Sequence, residues 1–331
     1  MKKNFWFNKK VLVTGGCGFI GSHLVEKLVS SKAKVTVLDN LQNGRPANIQ
    51  SVIKKIRFIE GDCRDSNAAF RSCTGQDVVM NLAAKVGGIE YNNSHKGIML
   101  RDNFAIASSM IEAARLTKVE RFLVVSTACV YSHNCLVPTP ENQGFLDEPE
   151  TTNEGYGWGK RMAEKLGMYY AQEYKMKVGI VRPYNCYGPR DHFDPAVSHV
   201  IPALIKRAFD GENPIVVWGS GKQSRAFLYV EDLAEGMMMA IEKYPTPDAI
   251  NLGTNEEIAL SDLVNLILKI SNIKAKIFFD TTKPDGSPRR NSDNTKAIAK
   301  IGFKARVSLA QGLKKTIDWY KNERKTKSQE F

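Results

Sequence analysis

The chain has 331 residues, of which 43% are hydrophobic and 25% charged, and this composition excludes an intrinsically disordered protein. Its 47 basic and 35 acidic residues give a net charge of +12, which favours anionic ligands. The basic residues are scattered among acidic ones, so we expect no nucleic-acid partner. Because no apolar run approaches the ~18 residues of a membrane span or forms a signal peptide, we expect a cytoplasmic protein without a membrane partner.

The first half of the chain alternates short apolar segments with amphipathic ones. The apolar segments predict strands at residues 10–14, 34–38, 56–60, 77–81, 121–126 and 176–182. The amphipathic segments predict helices at residues 18–31, 98–117 and 155–174. Helices that alternate with strands of this kind are typical of a parallel sheet covered on both faces. The predicted fold class is therefore α/β, a doubly wound parallel sheet of the Rossmann type.

The pattern changes after residue 183, where an irregular stretch rich in Pro, Gly and Asn begins. We assign residues 1–183 and 226–254 to the dinucleotide-binding domain, and residues 184–225 and 255–320 to a smaller C-terminal substrate-binding lobe. Residues 321–331 have almost no apolar content and predict a flexible tail. Residues 132–155 predict a loop long enough to act as a lid.

The cysteines provide no evidence for a metal site. None of the six forms a CxxC pair, which argues against a zinc ribbon or a redox motif. In a reducing compartment we expect them to be free thiols.

A glycine-rich segment follows the first predicted strand and opens the first predicted helix. Gly15 and the glycine after it permit a tight turn, and Gly18 lets the backbone approach a pyrophosphate at the helix N-terminus. Gly21 lets the helix pack closely on the strand. Asp39 ends the second strand 18 residues after Gly21, where a carboxylate binds ribose hydroxyls and repels a 2′-phosphate. The segment therefore predicts a dinucleotide site that favours NAD over NADP.

Alternatives stay open at the adenosine end of this site. Asp39 could instead cap a turn with Asn40, and Arg45 on the following loop could meet a 2′-phosphate, so NADP remains possible. Asp62, after the third strand, either holds the adenine or ends an ordinary turn.

Tyr156 and Lys160 lie four residues apart, on one face of a predicted helix. The ammonium group and a positive nicotinamide ring would lower the pKa of Tyr156 toward the working pH. Such a tyrosine can take a proton from a sugar hydroxyl while hydride leaves the same carbon. Thr127, at the end of the fifth strand, would donate a hydrogen bond to that oxygen. The alternative is a strand-end threonine and a surface Tyr/Lys pair without a catalytic role.

Several segments together resemble the extended short-chain dehydrogenase/reductases, the nucleotide-sugar epimerase/dehydratase family. They are TGGCGFIG at 14–21, LAAKVGG at 82–88, STACVY at 126–131, YGWGK at 156–160, RPYNCYGPR at 182–190 and FLYVEDLAEG at 227–236. The resemblance implies an NAD(P)-binding Rossmann domain, a nucleotide-sugar substrate, a homodimer built from helices near 98–117 and 155–174, and the catalytic residues Thr127, Tyr156 and Lys160. It places further cofactor contacts at Phe19, Ile20, Leu82, Ala83, Ala84, Tyr156, Lys160 and Pro183.

Other segments resemble two groups within that family, the GDP-L-fucose synthases and the GDP-mannose 3,5-epimerases. Ala128 and Cys129 stand where the dehydratases typically carry Asp-Glu, so dehydration is not expected. The resemblance puts Cys129 and His199 in the roles of an acid/base pair beside the sugar. A ketone at C4 acidifies the protons on C3 and C5, and both a thiol and an imidazole titrate within reach of neutrality. The alternatives are a buried core cysteine and a helix-start histidine.

The same resemblance implies a substrate site. Arg207, Arg225 and Lys283 match basic positions of the fucose synthases, and we expect Arg225 at the diphosphate, since a guanidinium pairs with phosphate through two hydrogen bonds. Arg289 is expected to assist there. Trp218 either stacks on the base or sugar or lies in the core. The other expected substrate contacts are Val86, Gly87, Asn103, Asn185 and His199.

These observations favour an NAD-dependent nucleotide-sugar epimerase that acts at C3 and/or C5 of a GDP-linked hexose through a 4-keto intermediate. The fucose synthases end with a reduction by NADPH, whereas Asp39 favours an enzyme that returns the same hydride. Three alternatives stay open: a 3,5-epimerase/4-reductase that uses NADPH, a C4-epimerase and a non-catalytic nucleotide-sensing protein. A C4-epimerase would need only Thr127, Tyr156 and Lys160.

Overall fold

The computed structural model of the chain describes residues 4–194, 198–283 and 287–329. Its strands are β1 (Lys10–Thr14), β2 (Lys34–Asp39), β3 (Arg57–Glu60), β4 (Val78–Asn81), β5 (Arg121–Val125), β6 (Lys177–Pro183), β7 (Cys186–Tyr187), β8 (Ile215–Trp218), β9 (Ser224–Ala226), β10 (Leu228–Tyr229), β11 (Ile250–Leu252), β12 (Glu257–Ala259), β13 (Ile277–Asp280) and β14 (Arg289–Arg290). Its α-helices are α1 (Phe19–Ser30), α2 (Ser66–Cys73), α3 (Ile89–Ser94), α4 (Lys96–Leu116), α5 (Glu154–Tyr174), α6 (Val200–Phe209), α7 (Val230–Lys243), α8 (Leu260–Ser271), α9 (Thr295–Ile301) and α10 (Leu309–Gln329).

Seven strands form a parallel sheet in the order β11-β6-β5-β4-β1-β2-β3. The chain order reverses between β1 and β4, so the crevice beyond their carboxyl ends is where ligands bind in folds of this kind. At that point the Thr14 hydroxyl donates to the Asn81 amide oxygen at 2.7 Å and accepts from the Ala83 N–H at 3.0 Å. The first six predicted strands are confirmed to within a residue or two at their ends.

An apolar core lies on each face of this sheet. On one face the strands pack against α1, α7 and α9, and on the other against α2, α4 and α5. Helices on both faces bury both sides of the central strands, which explains why β1, β4 and β5 are apolar over most of their length. The predicted doubly wound, Rossmann-type α/β fold is confirmed.

A third apolar core belongs to the smaller lobe. There the two-stranded sheet β8–β13 packs with α6, α8 and α10. The predicted boundary of this lobe needs correction. Ala297, Ile301 and Phe303, within the segment assigned to the lobe, are buried in the sheet domain's core instead. The chain thus returns to the large domain between residues 295 and 303.

The prediction of a flexible tail from residue 321 is also corrected, because α10 continues to Gln329. Leu313 and Ile317 bury the first half of this helix in the lobe's core. Lys, Glu, Arg and Gln then extend a helix that already exists, since they have high helix propensity even without apolar partners. Residues 330 and 331 lie outside the described part of the chain. Among the described residues, no helix combines the length and the apolar character needed to cross a membrane.

Candidate functional site

The turn between β1 and α1 forms a cradle of main-chain N–H groups. Gly18 precedes the helix in an extended conformation and provides no side-chain cap, so the first-turn N–H groups of Phe19 and Ile20 point outward without an intrahelical partner. A Cβ at Gly21 would collide with the carbonyl oxygen of Gly15, and Gly15 itself has a φ of 67°. The predicted glycines are therefore required here, and the cradle fits a pyrophosphate.

Asp39 lies buried beside this cradle. Its carboxylate accepts hydrogen bonds from the main-chain N–H groups of Cys17 and Leu41, each at 2.9 Å. Each oxygen retains a further lone pair for a ribose hydroxyl. A Cβ at Gly44 would lie 2.8 and 2.9 Å from the two carboxylate oxygens, so glycine is needed to leave room there. The motif analysis missed Gly44, although its place five residues after Asp39 is visible in the sequence.

The other predicted cofactor residues surround the same crevice. Ala83 packs on Gly15 at the end of β4, and Pro183 ends β6 beside β11. Asn40 donates to Asp62 at 3.2 Å, but the Asp62 carboxylate is mainly held by Arg64, with contacts down to 2.7 Å. That hydrogen bond lowers the pKa of Asp62 to about 2, so the carboxylate is ionised and already partnered.

Thr127, Cys129, Tyr156 and Lys160 meet at the carboxyl end of β5. The Cys129 N–H donates to the Thr127 hydroxyl at 3.2 Å, and the Lys160 ammonium donates to the Val125 carbonyl at 2.9 Å and lies 5.7 Å from the centre of the Tyr156 ring. Lys160 is buried, which contradicts the alternative of a surface Tyr/Lys pair. Cys129 is partly exposed, which contradicts the alternative of a core cysteine.

Burial controls the protonation of this group. It raises the pKa of Tyr156. The nearby Cys129 raises that pKa further, and the hydrogen bond with the Thr127 hydroxyl lowers it. Burial lowers the pKa of Lys160 to about 8. The predicted lowering of the Tyr156 pKa depends on the ammonium group together with a positive nicotinamide ring, so it stays a prediction for the chain with its cofactor bound. Burial also raises the pKa of the Cys129 thiol, and Arg290 acts to lower it.

An ion pair that the sequence analysis missed lies against Cys129. Arg290 directs one guanidinium nitrogen to the Glu150 carboxylate at 2.7 Å and the other to the Cys129 sulfur at 3.9 Å. Arg225 is its partner in the register of β9 and β14. The expected helper Arg289 instead forms a two-point pair with Glu257, at 2.9 and 2.8 Å.

A model of the NAD dependent epimerase/dehydratase family matches residues 11–253. The chain belongs to that family. GDP-L-fucose synthase 1 of Arabidopsis thaliana is 32% identical to this family member over 322 residues, which cover 94% of this chain and 93% of the relative. The solved UDP-glucose 4-epimerase of Thermotoga maritima has a TM-score of 0.87 and 28% identity, over 95% of this chain and 99% of that one. The solved dTDP-glucose 4,6-dehydratase of Streptomyces venezuelae, with NAD bound, has a TM-score of 0.84 and 26% identity, over 96% of this chain and 98% of that one.

This member of the NAD dependent epimerase/dehydratase family is an enzyme that uses a nicotinamide dinucleotide, NAD or NADP, as its cofactor. The residues present fit that group. The glycine cradle leaves N–H groups free for a pyrophosphate, and Gly44 leaves space at the Asp39 carboxylate for ribose hydroxyls.

Two of the predicted substrate contacts, Asn103 and Arg207, have hydrogen-bond partners within the chain, and their contact with substrate stays a prediction. Asn103 donates to the carbonyls of Lys85 and Met99 and accepts from the Lys85 N–H, so its amide holds the 82–88 loop. Arg207 pairs with Glu212 and donates to the Val216 carbonyl at 2.5 Å. Both side chains donate hydrogen bonds to main-chain carbonyls. A motif match does not reveal such partners, because they depend on the folded structure.

The remaining predicted substrate residues have free surface or a single partner. Trp218 is 64% exposed, which contradicts the alternative of a core tryptophan, and the Lys283 ammonium lies 5.7 Å from its ring. Asn185 donates to the Ala226 carbonyl at 3.1 Å. Val86 is exposed, and Gly87 packs on Tyr91.

His199 caps α6 and is exposed. Its Nδ1 lies 3.5 Å from the Asp191 carboxylate, which raises the pKa of the imidazole. Within the part of the chain that the structure describes, no contact joins His199 to Cys129. The pairing of these two residues across a sugar therefore stays a prediction.

The predicted lid, residues 132–155, is bound to the large domain by hydrogen bonds from two buried arginines. The fully buried Arg161 of α5 donates to the carbonyls of Val130, Leu146 and Asp147. Arg182 of β6 donates to the carbonyl of Glu141 at 2.6 Å. Arg161 thus binds the segment to α5, the helix that carries Tyr156 and Lys160, and Arg182 binds it to β6.

Proposed function

We propose that this enzyme inverts C3 and/or C5 of a GDP-linked hexose through a 4-keto intermediate. The observation that carries the proposal is the partly exposed Cys129 thiol, which lies beside the Tyr156 phenol and the Thr127 hydroxyl. A C4-epimerase needs the phenol and the hydroxyl but has no use for a thiol there.

The first step needs a base at the C4 hydroxyl. Tyr156 takes the hydroxyl proton while Thr127 donates a hydrogen bond to the same oxygen. NAD, when bound, accepts the C4 hydride and returns it at the end, and its positive charge offsets the burial that raises the pKa of Tyr156. Lys160, held on the Val125 carbonyl, keeps its ammonium directed at this end of the sheet.

The second step exchanges a proton on a carbon next to the C4 ketone. Cys129, as the thiolate, takes that proton and leaves an enolate, and an acid on the opposite face returns a proton to the same carbon. The family resemblance supports His199 as that acid, and the Asp191 carboxylate favours its protonated form. Tyr156 then returns its proton to the C4 oxygen, and because the hydride that bound NAD would supply is the one taken from C4, the overall reaction would be an isomerisation.

Arg225 and Arg290, neighbours on β9 and β14, support binding of the diphosphate near Cys129. The exposed Trp218 with Lys283 above it supports stacking on the base. The Arabidopsis relative's name specifies a GDP-sugar, and its extent of similarity supports a guanine nucleotide here.

The second candidate is a 3,5-epimerase/4-reductase that consumes NADPH, which the named fucose synthase relative favours. Asp39 argues against it, because a buried carboxylate that already holds two N–H groups would repel a 2′-phosphate.

We also propose that the enzyme works as a homodimer through α4 and α5. Leu100 and Met162 are exposed there, and with Phe104 and Trp158 they line one apolar groove. A second copy offers the same apolar surface around a two-fold axis, which makes it a self-complementary partner.

NMR of candidate GDP-4-keto and GDP-hexoses in D₂O tests the function. The proposal expects deuterium at C3 or C5 without consumption of NADPH, and loss of that label in Cys129→Ser while Tyr156-dependent oxidation at C4 persists. Deuterium-free products from every candidate, or a stoichiometric need for NADPH, would contradict it. Unchanged activity in Cys129→Ser would favour the C4-epimerase.

A further inference from the structure

Arg290 contacts both Cys129 and Glu150 across the boundary between the two domains. Glu150 lies near the end of the segment 132–155, and its N–H donates to the Tyr131 carbonyl at 3.0 Å. Arg290 lies on β14 of the smaller lobe. The two terminal nitrogens of the Arg290 guanidinium have different partners. Nη1 donates to the Glu150 carboxylate at 2.7 Å, and Nη2 donates to the Cys129 sulfur at 3.9 Å.

We propose that Arg290 is a positioning residue that stabilises the Cys129 thiolate, and that Glu150 holds its guanidinium in the orientation that does so. The proposal rests on the acid/base role assigned to Cys129 above. It adds the groups that make the thiol usable as a base.

The physical need follows from the surroundings of the thiol. A thiolate loses solvation when its side chain is partly buried, so some cation has to compensate. Arg290 is the cation in contact with the sulfur, and its side chain is itself only 21% exposed, so solvent screens it weakly. Because a guanidinium does not deprotonate, this charge is present at every working pH.

Glu150 has two opposing effects on the thiol. Its side chain, 17% exposed, is a hydrogen-bond acceptor that fixes the guanidinium, and it compensates the repulsion between Arg290 and the neighbouring Arg225. Its negative charge also acts on the sulfur directly and raises the thiol pKa. The charged or titratable groups that face Cys129 are thus Arg290, Glu150 and Tyr156.

The opposite signs of the two charges provide a test that a merely structural role cannot satisfy. The rate of alkylation of Cys129 by iodoacetamide is measured between pH 7 and 9.5, with the site of modification read by peptide mass spectrometry, in the full chain without substrate. Arg290→Met should slow alkylation about tenfold or more at each pH, because the thiolate fraction falls. Glu150→Gln should accelerate it several-fold, because the amide oxygen still accepts from the guanidinium while the negative charge is gone.

Arg290→Lys keeps the charge and should stay within about threefold of the parent chain. If Arg290→Met fails to fold, the acceleration expected in Glu150→Gln still tests the proposal, and an unchanged or slower rate there would overturn it. Arg289→Met removes an equal charge from the same strand, at a residue paired with Glu257, and should leave the rate unchanged. An unchanged rate in both Arg290 variants, or a change of the same sign in Arg290→Met and Glu150→Gln, would overturn the proposal.

Alkylation needs no turnover, so the two proposals fail separately. If Arg290 and Glu150 shift alkylation as expected but the parent chain incorporates no deuterium at C3 or C5, the proposed function is wrong and the thiolate site stands. If deuterium is incorporated but the alkylation rate of Cys129 is the same in the Arg290 and Glu150 variants as in the parent chain, only the assignment of Arg290 and Glu150 is wrong.

Discussion

Arg182 and Glu164 form a buried, two-point ion pair, with nitrogen–oxygen distances of 2.9 and 2.7 Å and side-chain exposures of 2% and 0%. The pair joins β6 to α5, the helix that carries Tyr156 and Lys160. The same guanidinium donates to the Tyr131 hydroxyl at 3.0 Å and to the Glu141 carbonyl at 2.6 Å, so one side chain connects β6, α5 and residues 132–155.

Removing one member of this pair should be costly. In Arg182→Met, the Glu164 carboxylate stays buried without its cation, and we expect the free energy of unfolding to fall by about 3–5 kcal/mol. Urea denaturation at neutral pH measures this. Lys314→Met, which breaks an exposed pair with Asp318, should cost less than about 1 kcal/mol. Equal losses in the two variants would contradict the structural role given to Arg182.

The cofactor cradle predicts a steric effect at Gly21. In Gly21→Ala the new methyl group would meet the Gly15 carbonyl oxygen, and relief requires the turn to move away from the pyrophosphate. We expect the dissociation constant for NAD to rise at least about tenfold, since one displaced hydrogen-bonding group contributes about 1.4 kcal/mol or more. Isothermal titration calorimetry measures it. Gly97→Ala, with no atom within 4 Å of its Cβ, should leave NAD affinity unchanged.

Most of the fold was predictable because periodic signals are local. The central strands β1, β4 and β5 are apolar over most of their length, and α4 and α5 carry long amphipathic patterns. The eight-residue α2 was missed because it is too short for such a pattern, although Asp65 caps it by accepting from the Asn67 N–H at 2.9 Å.

The candidate site was predictable in its motifs but not in its pairings. The proposed catalytic residues Thr127, Tyr156 and Lys160 came from spacing and resemblance. Arg290 was missed in favour of Arg289, because adjacent strand residues face opposite sides and the two-residue β14 gives no alternation from which to choose. Which arginine meets Cys129 depends on the register of β14 with β9, a tertiary property.

The apolar groove between α4 and α5 predicts how dimerisation can be disrupted. In Leu100→Glu/Met162→Glu, two carboxylates would be buried without partners in the proposed interface, which should raise the dimer dissociation constant at least about 100-fold. Analytical ultracentrifugation measures the change. The control Ile298→Glu alters an exposed residue of α9, on the other face of the sheet, and should not affect association. A monomeric parent chain would itself refute the dimer.

The buried Lys160 makes stability depend on pH in a definite direction. Its pKa is about 8 in the folded chain and 10.5 ordinarily, so between these values the unfolded chain binds the extra proton and stability rises with pH. The cost of burying the charge is fully present below pH 8 and disappears as pH approaches 10.5.

From pH 7 to 9.5 the parent chain should therefore gain about 2 kcal/mol relative to Lys160→Met, in which no proton is bound at this position. Urea unfolding of both chains at several pH values measures the difference between their free energies of unfolding. The contributions of the other titrating groups cancel in this difference, because both chains contain them. A difference that is flat across this range would mean that the ammonium keeps its ordinary pKa, and that the Val125 carbonyl and nearby Glu164 compensate for its burial.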